Sequence, residues 1–146
     1  MCLKLEGNLS KEGKWWAVCI PALRVYTQGK SKKDALFMAK DAVELLIDRA
    51  GFTAEARLLS NNQFVLWAAK SKNDRYLVAL LLKKQRAKYG LSLQQVADRL
   101  GVSVNAYAQY EQARAVPSIA KIEEFIHAMN DRAHVVLDVL DEAEAA

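Results

Sequence analysis

Gly90–Glu111, GLSLQQVADRLGVSVNAYAQYE, decides the reading of the second half of this 146-residue chain. Its small and apolar residues fall where two short helices have to cross closely around a turn. Ala97 stands in the middle of the first expected helix, where a larger side chain would push the second away, and Gly101 follows at the turn. Tyr107 is placed to plug between the helices, Leu100 and Val102 add flanking core, and Ser103 is placed to cap the second helix. This spacing predicts a helix-turn-helix whose second helix lies in the major groove of DNA. The same spacing also serves a helical hairpin that never meets DNA.

Outward from that pair, Ser71 and Asp74 have capping-box spacing and open a long helix with Leu77, Leu80, Leu81 and Lys84 on one face; Lys83, Arg86 and Lys88 lie elsewhere, and Gly90 ends it. Ser118 caps a last amphipathic helix bearing Ile119, Ile122, Phe125, Ile126 and Met129. A domain of four or five helices is expected. Beyond Asn130, Ala133–Leu140 (AHVVLDVL) is β-prone but too short to stand alone, and the helical block offers it no sheet. Pairing with the same segment of a second copy, through Val135, Val136, Leu137 and Val139, would set two reading helices at a fixed separation for a two-fold operator. A short helical tail over Asp141–Ala146 is the alternative.

The first half changes character. Leu3 and Leu5 alternate with Lys4 and Glu6, Gly13 marks a turn, and Trp15–Ile20 is a β-prone run closed by Pro21. Val25–Thr27 is a third short strand. Ser31 with Asp34 then opens a helix in which Ala35, Leu36, Ala39, Val43, Leu46, Ile47 and Ala50 recur at helical steps until Gly51. Ala54–Leu59 and Phe64–Ala68 complete a small sheet, with Ser60, Asn61 and Asn62 in their turn. The expected class is therefore α+β: a β-sheet-plus-helix domain over residues 1–70, an all-α helix-turn-helix domain over 71–132, and a C-terminal dimerisation strand with an acidic tail over 133–146. No glycine- or proline-rich linker separates the first two.

No catalytic constellation emerges. Asp34, Asp41, Glu44 and Asp48 lie along one helix, interspersed with Lys33, Lys40 and Arg49, whereas a two-metal centre needs carboxylates converging on ions about 4 Å apart. That pattern is a solvated face. Neither His127 nor His134 has a serine or cysteine partner, and Cys2 and Cys19 form no CxxC pair, so no metal and no cofactor are expected. The net charge is +4, made of +4 over residues 1–70, +4 over 71–133 and −4 over 134–146, a mild basic excess that fits an anionic partner. No run approaches a membrane span, and MCLKLEGNLSKEG lacks the basic start and apolar core of a secretory signal, so a cytoplasmic protein is expected. Trp15 and Trp16 point to opposite faces of their strand. One enters the core, and the other either contacts a partner or is covered by a hairpin or a second subunit.

Three stretches, Gly13-Lys14-Trp15-Trp16-Ala17-Val18-Cys19-Ile20-Pro21, Val25-Tyr26-Thr27-Gln28-Gly29 and the helix from Asp34-Ala35 through Ala39-Lys40 to Leu46, together resemble the HicB family of antitoxins. GLSLQQVADRLGVS with Tyr110-Glu111 and Pro117-Ser118 is similar to Cro and lambda-repressor type domains. The resemblance implies a degraded RNase H-like N-terminal domain that binds and blocks a small mRNA-cleaving toxin of the HicA type, with Trp15, Trp16 and Tyr26 as toxin contacts. It also implies a C-terminal domain that binds the operator of its own operon, and a dimer or higher homo-oligomer. Within that frame Val104–Gln112 carries no Lys or Arg. Asn105 and Gln109 are the side chains suited to base edges, with Val104 and Ala108 for thymine methyls. Ser92, Gln94, Gln112, Arg114 and Ser118 are left for phosphates. Leu93 replaces a polar residue often found at the start of the first motif helix, and Ala113 stands where glycine is usual, at a backbone position costly for alanine if left-handed. Two other functions are open: a stand-alone transcription regulator whose first domain dimerises or senses a ligand, and a residual nuclease needing Glu6 or Asp41.

Overall fold

The computed structural model describes residues 3–139 and 141. Its contacts gather into two units. One takes the chain up to Leu77, together with Val139 and Asp141, and the other takes Val78–Asp138.

In the first unit β1 (Lys4–Glu12), β2 (Trp15–Ile20), β3 (Val25–Gly29), α1 (Lys32–Ile47), β4 (Ala54–Leu58) and β5 (Gln63–Ala68) follow in that order. The strands form one antiparallel sheet in the order β3-β2-β1-β5-β4. Alternation sends Leu5 and Leu9 of β1, Val18 and Ile20 of β2, and Phe64 and Leu66 of β5 inward, all buried. Against them α1 turns Ala35, Ala39 and Val43, small residues that let the helix lie close. That closeness needs Gly29: a Cβ there would stand 2.4 Å from the Ala35 nitrogen. Gly7 is equally constrained, since a Cβ would meet the Phe64 ring at 2.1 Å.

The ends of α1 follow from local chemistry. Ser31 Oγ accepts the Asp34 N–H, and the Asp34 carboxylate accepts the Lys30 N–H, so two otherwise unpaired donors are satisfied. Periodicity placed the end of this helix at Gly51. It ends instead at Ile47, with Asp48 as C-cap taking the left-handed φ +48 and donating its N–H to the Glu44 carbonyl, while the Glu44 carboxylate accepts the Ala54 N–H at the head of β4. The third strand runs two residues beyond Thr27, to Gly29.

The helices are α2 (Asp74–Lys88), α3 (Leu93–Leu100), α4 (Val104–Glu111) and α5 (Ile119–Met129). The capping box expected at Ser71 is absent: Ser71–Asn73 is a single 3-10 turn, and α2 starts at Asp74. The Asp74 carboxylate instead accepts the Leu3 N–H at 2.9 Å, tying the start of the sheet to the start of α2. Burial pushes its pKa up, partly offset by that hydrogen bond. In the second unit α5 buries Ile122, Phe125, Ile126 and Met129, each worth about 1.5–3 kcal/mol. The C-terminal strand is not formed in the single chain: residues 133–139 carry no strand assignment, and Leu140 lies outside the described residues. A β-prone segment without a partner edge has nothing to satisfy its ladder.

Candidate nucleic-acid interface

Both helices of the Gly90–Glu111 stretch start on serines. Ser92 Oγ accepts the Gln95 N–H at 3.1 Å while Gln95 Oε1 accepts the Ser92 N–H at 2.8 Å, a complete capping box. Ser103 Oγ accepts the Ala106 N–H at 3.1 Å and starts α4. Between them Gly101 takes φ +71 at the C-terminus of α3. Ala97 and Tyr107 are both fully buried, as a tight crossing requires. The Tyr107 ring meets Phe125 edge to face at 5.2 Å, and Tyr110 flanks the same phenylalanine at 5.0 Å. Burial, then the neighbouring Glu111 carboxylate, push the Tyr107 phenol well above its ordinary range.

An ion pair that periodicity does not reveal fastens the end of α4. Glu111 is 3% exposed. Its carboxylate accepts two N–H groups of Arg86 from α2 through three contacts, the Nε hydrogen shared between both oxygens at 3.1 and 2.9 Å and Nη2 at 2.9 Å. Arg86 Nη1 donates to the Leu91 carbonyl at 2.9 Å. The available signal was an acid in the last turn of a helix, where the macrodipole disfavours it and a cation is needed nearby. Two residues on, Ala113 takes φ +59, the left-handed backbone that glycine would adopt freely.

The outward face of α4 carries Asn105 and Ala106, exposed, with Val104 and Gln109 half-buried. Among the described residues the Asn105 side chain has no hydrogen bond, while Gln109 Nε2 donates to the Ala106 carbonyl at 3.0 Å. Ala108 does not belong to this face. It is 4% exposed, so its methyl packs inward and Ala106 is the small residue that α4 presents instead. Ser92, Gln94, Gln112, Arg114 and Ser118 are all exposed. Ser92 and Ser118 act as caps through their oxygens, which leaves each hydroxyl hydrogen free to donate. Gln94 donates to Asp98 at 2.6 Å. Arg99 is committed elsewhere, to the Ala128 and Met129 carbonyls at 3.1 Å.

Residues 82–130 match the helix-turn-helix family model. The match starts inside α2, ends just past α5, and covers about a third of the chain. The chain therefore carries the helix-turn-helix of a DNA-binding transcription regulator, of the Cro/C1 type. No curated protein matched the chain. The three helix starts and the crossing of α3 with α4 lie inside the matched span, as does the Arg86–Glu111 pair.

Outside the helix-turn-helix, the other candidate residues separate by face. Trp15 and Tyr26 are exposed on the side of the sheet away from α1, Tyr26 standing opposite Cys19 in register. Trp16 is half-buried on the α1 side, with the Lys11 and Lys32 ammonium groups 5.3 and 5.0 Å from its ring centre. Val136, Leu137 and Val139 are exposed, whereas Val135 is half-buried and donates its N–H to Glu123. Glu123 also holds His134 Nδ1 at 3.1 Å. These contacts, the Val135 N–H first, hold the Glu123 carboxyl below its ordinary range. Among the described residues no three His, Cys, Asp or Glu side chains are grouped to hold a metal ion, and no helix is long and apolar enough to cross a membrane.

Proposed function

We propose that the chain is a non-enzymatic, cytoplasmic antitoxin of the HicB kind, which neutralises a HicA-type toxin through an RNase H-like first domain and represses its own operon through the second. The observation that carries the regulatory half is the open, uncharged face of α4 inside the matched span. Asn105 and Gln109 read base edges, Val104 touches a thymine methyl, and Ser92, Gln94, Gln112, Arg114 and Ser118 bind phosphates. Four of those five carry no charge, so one copy binds weakly and two copies are needed. The apolar run Val135, Val136, Leu137 and Val139 supports self-association, since three of its four side chains stand in water in the single chain.

The toxin-binding half rests on the order of hairpin, Thr27-Gln28-Gly29 and helix, and on the exposed Trp15 and Tyr26; Trp16 supports that surface from the opposite face. The deciding experiment is co-expression with a HicA-type toxin from the same genome, sought first beside this gene, followed by purification of any complex and footprinting on the DNA upstream of the gene. A stable complex together with a protected two-fold site is expected. A protected site without any complex leaves a stand-alone regulator, and no protected site removes the repressor half.

A further inference from the structure

One end of the first unit's sheet gathers positive charge that nothing above uses. Lys11 faces Trp16 in register, and Trp16 faces Gly29, so the Gly13–Lys14 turn and the Lys30–Lys33 junction lie at the same end of three neighbouring strands. Lys11, Lys14, Lys30, Lys32 and Lys33 are all exposed there. The acids of the same two segments are Glu12 and Asp34, and Asp34 is already engaged by the Lys30 N–H. None of the five lysines has an ion pair among the described residues; Lys11 and Lys32 contact only the face of Trp16. The N-terminus of α1 adds the positive end of its dipole at this place. Trp15, 40% exposed, stands at the same end on the other side of β2.

Unneutralised lysines and an open indole at the same end of one sheet fit a chain of phosphates carrying flat bases, which is how proteins hold single-stranded nucleic acid without reading its sequence. An acidic protein surface satisfies the lysines equally well but gives the indole nothing flat to stack on. We propose that this pole binds single-stranded nucleic acid, with Lys14, Lys30 and Lys33 on phosphates and Trp15 stacked on a base, independently of the helix-turn-helix. This goes beyond the antitoxin reading and is tested on the chain without toxin, since Trp15 is also the proposed toxin contact and a bound toxin would compete for it.

The test titrates the full chain with labelled short oligothymidylate and follows anisotropy over a range of salt. Lys14→Gln/Lys30→Gln/Lys33→Gln, all changes on exposed side chains, is expected to lower the log–log salt slope by about 2, from roughly 0.7 per phosphate contact. Trp15→Ala is expected to weaken binding by about tenfold. Asn105→Ala and Arg114→Ala should leave it unchanged. Unaltered helical circular dichroism in each variant keeps the comparison to folded protein. The proposal is overturned by absence of oligothymidylate binding, by a salt slope that the triple variant does not move, by loss of binding in Arg114→Ala, or by polyglutamate binding the lysines while oligothymidylate does not. Toxin co-purification and operator footprints read the antitoxin proposal separately.

Discussion

Replacing Arg86 by Met keeps most of the side-chain volume and removes the guanidinium, leaving Glu111 as a carboxylate 3% exposed with no cation and the Leu91 carbonyl without its donor. Breaking a buried pair from one side costs about 3–5 kcal/mol, and the lost bond to Leu91 adds about 1 kcal/mol. Against this, a block of the size of Val78–Asp138 is stable by about 3–9 kcal/mol. Arg86→Met should therefore leave the helical unit marginal or unfolded at room temperature. Glu111→Gln should cost less, about 1–2 kcal/mol, because the Arg86 side chain is 24% exposed and can turn to water. The double change Arg86→Met/Glu111→Leu should return to within about 1 kcal/mol of the starting protein, since apolar packing replaces a pair whose desolvation offsets its attraction. Urea titration separates the units: all three tryptophans, Trp15, Trp16 and Trp67, lie in the first unit and report it by fluorescence, while far-ultraviolet circular dichroism follows the helices. A loss below about 1 kcal/mol for Arg86→Met, or a double variant as weak as the single, would refute the argument.

Ala113→Gly should stabilise the helical unit by about 0.5–1 kcal/mol, the left-handed cost of roughly 1–2 kcal/mol less the extra freedom glycine brings to the unfolded chain; a lower melting temperature would count against the strain. Asn105→Ala is expected to change base preference at one operator position by about 1–3 kcal/mol, whereas Arg114→Ala weakens all sequences together and flattens the salt slope; equal losses on operator and random DNA from both would contradict the assigned roles. Acid should release the segment after α5 only late. The Glu123 carboxyl lies below its ordinary value of 4.5 in the folded chain, so its hold is complete well above 4.5 and is lost as pH falls through the depressed value. Protection of the Val135 amide, taken against its intrinsic exchange rate at each pH, should be clear at neutral pH and fall below that range, and an unprotected amide at neutral pH would show that Glu123 does not hold it.

Much of the fold was legible because its punctuation is local. Ser31, Gly101, Ser103 and Ser118 each act through residues three or four positions away, so they speak through sequence alone, whereas the capping box at Ser92, just as local, was not anticipated. What was not legible depends on distant partners. Asp74 has the spacing of a capping box but is taken by Leu3, 71 residues away. Arg86 and Glu111, 25 apart, carry no periodic signal. Ala106 and Ala108 are the same residue type on a helix of eight residues, and only the position of α5, through Phe125 against Tyr107, settles which methyl is outside. The strand expected over residues 133–140 depends on a pairing edge that its own residues do not specify, and residues 133–139 do not form it in the single chain.

The amide of Gln109 rests on the carbonyl of Ala106, while the Asn105 side chain has no hydrogen bond among the described residues. In the proposed complex with DNA, a wrong base opposite Gln109 would let that side chain fall back on its own helix, so the mismatch would strand no buried donor. A wrong base opposite Asn105 offers no such retreat, and both its amide hydrogens and its carbonyl lose their partners. The operator should then show one stringent position and one forgiving position in each half-site. Related operators would drift at the second while keeping the first.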